Sequence, residues 1–251
     1  MKIQPAIWAA AMLWLATFAS AAAPLRVLIL AGANNHDWRA TTPALKEILE
    51  DHGRFAVEVE TNVAGMKPAV FDHYDVLLSN FNTFGKTHPG EVWNPEMRAA
   101  FLKFIRNGHG LVVVHAGSAV FYDWPEFQQI AGVTWGTNTS HGARHTNEIH
   151  ILIANHPVTA GLKDFPTFDE YWQNAPVAAG AQALAAVTPK KEFGGTGKPE
   201  PIAFATEFGS GRGFTLLLGH DTNGMAAAGF QQLLCRGTEW AATGKVLAEK
   251  N

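Results

Sequence analysis

Cysteine is nearly missing from this chain: Cys235 is the only one in 251 residues. One thiol cannot close an internal disulfide, so the fold must rest on its core. Cys235 sits among Phe230, Leu233, Leu234, Glu239 and Trp240, the pattern of a C-terminal helix, and reads as a buried, inert thiol. Charge is also scarce. Charged residues make up 16% of the chain, the formal net charge is -3, and no run of lysine or arginine occurs. That argues against a phosphate-backbone binder, and no nucleic-acid partner is expected. No GxGxxG or P-loop pattern follows the first apolar strand, so no nucleotide cofactor is expected. The HExxH zinc signature is absent too, as are internal repeats and low-complexity segments.

What is present is apolar. Hydrophobic residues make up 47% of the sequence, and the length fits one large domain. The first residues read differently. Lys2 gives a positive start, Ile7 to Phe18 is apolar, and Ala19 to Ala23 is a run of small residues. This is the pattern of a secretory signal peptide over residues 1–23, with cleavage within Ala21 to Ala23. The apolar run is short of the roughly 20 residues a membrane span needs. The mature domain, residues 24–251, is expected to be secreted or periplasmic, with no membrane attachment after cleavage.

Along that domain, strands and helices alternate. Leu25 to Leu30 is a first strand, running into a small, polar loop that carries His36, Asp37 and Trp38. Thr42-Pro43 is expected to start a helix, capped by Thr42 and ended by Gly53. Ala56 to Glu60 and Asp75 to Ser79 are strands, the latter ending in Asn80-Phe81-Asn82. Pro95 to Asn107 has helical spacing. Gly110 to Val114 is a short run rich in β-branched residues, which reads as a strand buried on both faces; it stops at His115 and a turn of small residues. Trp124 to Ala131 is a short helix. The second half holds strands at Glu148 to Ile153 and Ala183 to Val187. A hairpin, Ile202 to Phe208 and Gly213 to Leu218, follows, then the closing helix Phe230 to Thr243. This order points to an α/β fold with a doubly wound, mostly parallel sheet.

Ligands of such sheets collect at the carboxyl ends of strands. Of eleven histidines, His36, His115, His141, His145 and His220 stand at strand ends or in small polar loops. Several imidazoles on one rim suit either acid/base work or a divalent metal such as zinc. His141 and His145 have HxxxH spacing, although Gly142 makes a helix there doubtful, and His115, His141 and His145 form the candidate metal set. Asp37, Asp169, Glu170 and Asp221 are the carboxylates that can join them. Glu170 lies among Phe168, Tyr171 and Trp172, where burial would raise its pKa and suit a general acid or base. Trp38, Phe81, Phe84, Trp124, Trp135 and Trp172 lie near these loops, and aromatic faces beside polar groups suit sugar rings.

Taken together, these segments resemble the ThuA-like family, named for trehalose utilisation. The matching pieces are the His36 loop, Gly110 to Ser118, Ser140 to His145, His156 to Leu162, Asp169-Glu170-Tyr171, and Gly209 to Gly213 leading into Leu218-Gly219-His220-Asp221. The resemblance implies a flavodoxin-like fold similar to class I glutamine amidotransferases. In those enzymes a cysteine follows the central strand and a histidine ends a later one. Here His220 fits the second role, while the nucleophile position falls at His115 or Ala116 and offers no cysteine. The resemblance further implies carbohydrate metabolism, with a disaccharide or 3-keto-glycoside as substrate. His115, His220 and Glu170 would be catalytic. His36, Asp37, Trp38, Asn80 and Asp221 would bind the sugar. An oxidation step would need a separate sugar oxidoreductase as partner; a homo-oligomer stays open. The alternative is a non-catalytic carbohydrate-binding or accessory protein on the same scaffold.

Overall fold

A computed structural model describes residues 23–84 and 92–247; residues 1–22 of the expected signal peptide lie outside them. The apolar runs read from the sequence become strands, β1 (Leu25–Leu30), β2 (Phe55–Glu60), β3 (Val76–Ser79) and β4 (Gly110–Val114). Helices α1 (Trp38–Asp51) and α2 (Pro95–Arg106) fall between them, and α3 (Pro125–Ala131) follows. Then come β5 (Ser140–His141), β6 (His145–Ile151), β7 (Phe165–Asp169), β8 (Trp172–Gln173), β9 (Gln182–Val187), β10 (Glu200–Phe208) and β11 (Gly211–Leu216). A short α4 (Thr222–Met225) and the closing α5 (Ala228–Thr243) complete the order.

Nine of these strands form one sheet in the order β2-β1-β3-β4-β11-β10-β9-β6-β7, and β5 pairs with β8 as a separate flap. The first five members are mutually parallel, in the order of a flavodoxin-like doubly wound sheet. The remaining four continue it antiparallel. Strand β4 shows why the sheet is covered on both faces. Val112 and Val114 join one core with Leu45 and Leu49 of α1 and Leu233 and Leu234 of α5. Leu111 and Val113 join a second core with Phe101 and Phe104 of α2 and Phe127 of α3. Period-2 alternation thus feeds two cores from one strand, which requires an all-apolar run. Cys235 is buried on the α5 side, as expected.

The structure departs from the sequence reading at three places. Helix α1 starts at Trp38, because the Asp37 side chain accepts the Ala40 N–H and caps it. Thr42 is therefore inside the helix rather than its cap, and so is Pro43. The Phe165–Asp169 segment, polar at its end, is strand β7, and its pairing with β6 starts that strand at His145. Ser140 to His145 is consequently extended rather than helical, so His141 and His145 do not share a helix face. Among the described residues no helix is long and apolar enough to cross a membrane.

Candidate active site

Because β1, β3, β4 and β11 are parallel, the segments after them meet at one rim. Strand β7 reaches the same rim, its Asp169 opposite His145 at the start of β6. The fold thereby brings His36, His115 and His220 together. Their ring centroids lie 4.8 Å (His36–His115), 4.5 Å (His36–His220) and 5.4 Å (His115–His220) apart. Glu170 sits in their midst. One carboxylate oxygen lies 3.5 Å from His115 Nε2; the other lies 3.1 Å from His141 Nδ1 and 3.5 Å from His220 Nε2.

Each member is held by its own backbone or neighbour. His115 has φ of 46°, the left-handed region that a side chain occupies only when the surroundings enforce it. The ring's Nδ1–H donates to the Leu217 carbonyl at 2.7 Å, which fixes the tautomer and turns Nε2 toward Glu170. The turn that follows needs glycine, since a Cβ on Gly117 would run into the Ser79 carbonyl. The strained residue after the central strand is His115, an imidazole, and not Ala116. His36 donates from Nδ1 to Asn34 Oδ1 at 3.2 Å, and its backbone N–H donates to the same oxygen at 2.9 Å. Asn34 is pinned in turn by Asn82, which donates to it at 2.7 Å, and by the Asn80 carbonyl. His36 Nε2 is left as the free acceptor. Asp169 is buried and accepts the backbone N–H groups of Gly219, His220 and Glu170 at 2.7, 3.1 and 2.8 Å. It locks the loop after β11 to the end of β7.

Glu170 departs from its expected chemistry. Burial does push its pKa up, but the hydrogen bond and charge of His115, with His141 and His220, outweigh burial and hold it at about 2. It is a carboxylate at neutral pH. Burial disfavours charge on His115, yet Glu170 and Asp169, with the Leu217 carbonyl, raise its pKa. Burial and His115 lower that of His220. Burial with the other imidazoles lowers that of His36 to about 3.

Several expected site residues serve elsewhere. Asp37 caps α1, and Trp38 is its first residue, under the Arg39 guanidinium; neither lines the pocket beside Glu170. Asn80 is buried and donates to the Thr41 and Thr42 hydroxyls, so it braces α1. Asp221 caps α4 and pairs with Arg144, 4.0 Å from His220 Nδ1. His145 has both nitrogens occupied: Nδ1–H donates to the Ala143 carbonyl and Nε2 accepts from Lys190. The His115–His141–His145 metal set therefore does not converge. The group whose ligand atoms do converge, within 4.8 Å of one another, is His36, Glu170 and His220. Of these, the sequence points to His36 as sugar-binding and to His220 and Glu170 as catalytic rather than to a shared metal. Asn34 is a site residue that the sequence barely marks. Its one signal is its place, two residues before a histidine in a strand-end loop.

A cavity of about 110 Å³ opens onto this cluster. His36, His141 and Glu170 line it with Asn35, Ala116, Ala119, Phe84, Trp135 and Trp172. Neither His115 nor His220 lines it; His115 is buried behind Glu170.

The chain is similar to a solved ThuA-like protein from Parabacteroides merdae, with TM-score 0.79 and 29% identity over 90% of this chain and 93% of that one. A ThuA-like protein from Bacteroides uniformis gives TM-score 0.62 at 19% identity, covering 88% and 93%. A GMP synthase subunit from Thermoplasma acidophilum gives 0.53 at 10%, covering 87% and 94%. The last two likenesses are of fold alone, and the fold is α/β and flavodoxin-like. No curated protein matches in sequence. The model of the ThuA family, described as trehalose utilisation, matches residues 26–241, and the chain belongs to that family.

Proposed function

We propose that this protein is an exported sugar-modifying enzyme acting on a disaccharide or its keto derivative. Membership of a trehalose-utilisation family supports the substrate class. The observation that carries the reading is one buried carboxylate ringed by four imidazoles at an aromatic-walled cavity. A simple binding pocket has no need of so many titrating groups.

The donor set fits a divalent cation such as zinc. His36 offers Nε2, Glu170 a carboxylate and His220 an imidazole nitrogen, two nitrogens and one oxygen, as in catalytic zinc sites that keep a position open. The buried His220 Nδ1 has no hydrogen-bond partner, which agrees with a role beyond packing. When bound, the ion would polarise a carbonyl or hydroxyl oxygen of the sugar. His141 stands at the open side of Glu170 and is the imidazole placed to move a proton. His115 is a positioning residue, holding Glu170 from behind.

The chemistry suggested is proton abstraction beside a ketone, with elimination of the glycoside. The C–H pair becomes a C=C bond, the C–O bond breaks, and the leaving oxygen takes a proton. The step is redox-neutral, so a separate sugar oxidoreductase would supply the ketone.

The test is metal content before and after chelation, together with turnover on a panel of disaccharides and their oxidised forms. A stoichiometric metal, and conversion that chelation abolishes, are expected. Sugar binding without conversion would instead make this an accessory binding protein.

A further inference from the structure

The two histidines that converge with Glu170 at the rim are not equally supported from behind. His36 has its Nδ1 tied to Asn34 Oδ1 at 3.2 Å, so the role of each of its nitrogens is set. His220 has no such tie. Its Nδ1 is buried and without a hydrogen-bond partner, although a carboxylate oxygen, Asp221 Oδ2, lies 4.0 Å away. Its other nitrogen, Nε2, lies 3.5 Å from Glu170 Oε2. Two carboxylates thus bracket one imidazole, each beside a different nitrogen. A buried Nδ1 can be served only from within the protein, and Asp221 is the carboxylate beside it.

Asp221 is itself held in place. Its Oδ1 accepts the backbone N–H groups of Asn223 and Gly224 at 2.9 and 3.3 Å, which caps α4. Its Oδ2 accepts from the Arg144 guanidinium, which lies over the Phe168 ring. A carboxylate oxygen has two lone pairs, so Oδ2 keeps room for a second donor.

The 4.0 Å gap has a physical account. Glu170 is a carboxylate and can only accept, so Nε2 is the nitrogen placed to carry the proton of the neutral ring. Nδ1 is then an acceptor too, and two acceptors gain nothing by approaching. A divalent cation held by His36, Glu170 and His220 reverses this. It needs the Nε2 lone pair, so Nε2 gives up its proton and Nδ1 takes one. The ring stays neutral, and Nδ1 becomes a donor with Asp221 Oδ2 beside it. Histidines that hold metals almost always donate their second N–H in this way, commonly to a carboxylate.

We propose that Asp221 is a positioning residue, accepting the His220 Nδ1–H and so orienting Nε2 toward a metal shared with His36 and Glu170. The assignment rests on the metal reading above.

The experiment titrates the purified, nitrogen-15-labelled protein with zinc and follows the histidine ring nitrogens by long-range nitrogen–proton correlation. The His220 ring is assigned through its own C–H protons, so this result does not depend on a variant folding. His220 should change from the Nε2–H to the Nδ1–H form as stoichiometric zinc is added. Asp221→Asn keeps an oxygen for the α4 cap, since asparagine caps as well as aspartate, but places an amide NH₂ where Nδ1 needs an acceptor. Its melting temperature should stay close to that of the wild type. Its zinc affinity, measured against a competing chelator, should fall about 10-fold or more. Zinc bound with no proton on Nδ1, or an Asp221→Asn protein that binds zinc as tightly as wild type, overturns the positioning role and leaves the metal site standing. A wild type that binds no zinc overturns the metal site, and the role of Asp221 with it.

Discussion

Strands β4 and β11 lie side by side, run in the same direction and each lead into a histidine, yet His115 and His220 meet different surroundings. His115 follows its strand directly, in a left-handed backbone, with Nδ1 tied to the Leu217 carbonyl and the ring buried. His220 comes after a glycine in a loop fixed by Asp169, and keeps its side chain 22% exposed. The two are 5.4 Å apart and share one carboxylate, but only His220 belongs to the converging ligand group. A histidine at a strand end is thus no guarantee of contact with a ligand. What decides is whether its second nitrogen, and its backbone, leave it facing inward or outward.

That contrast can be broken by substitution. His220→Ala should have the largest effect on function: bound metal is lost and turnover falls about a hundredfold or more, while stability changes by less than about 1 kcal/mol. Metal analysis and a thermal melt check both halves. His115→Ala should do the reverse in emphasis. It opens a cavity and leaves the Leu217 carbonyl unpaired, for a loss of about 2–4 kcal/mol in denaturant unfolding. Equal stability of the two variants would erase the distinction. Asn34→Ala removes the group that sets the His36 tautomer, so zinc affinity should fall about 10–100-fold in a competition titration. The smallest effect belongs to Asp37→Ala. Losing the α1 cap should cost about 1 kcal/mol and leave sugar binding untouched, which a calorimetric titration would show. Weakened binding there would return Asp37 to the site.

The fold is legible in the sequence because its central strands β3 and β4 are short apolar runs and its main helices carry one apolar stripe each. Gly110 to Val114 and Pro95 to Arg106 need no tertiary information. The start of α1 is not legible, since Thr42-Pro43 is as good a local start as Asp37; in the structure Asp37 makes the cap, and the Thr41 and Thr42 hydroxyls inside the helix accept from Asn80. Strand β7 is hidden because it is held to its partner, β6, by pairing rather than by its own composition. In the site, His36, His115, His220 and Glu170 stand out by their places at strand ends. The direction of the Glu170 pKa does not, because its apolar sequence neighbours suggest burial alone while the three imidazoles that reverse the shift come from distant loops. Asn80 and His145 read as site residues for the same reason: position along the chain does not say which way a side chain turns.

The measurement that bears most directly on the histidine–carboxylate cluster is turnover by Glu170→Gln, on whichever disaccharide or keto-disaccharide the wild type converts. Glutamine keeps the size and removes the charge shared by His115, His141 and His220. Turnover should fall about 10²–10⁴-fold with the fold retained by circular dichroism. A Glu170→Gln protein that turns over its sugar at the wild-type rate would contradict the assignment of this cluster as the active site.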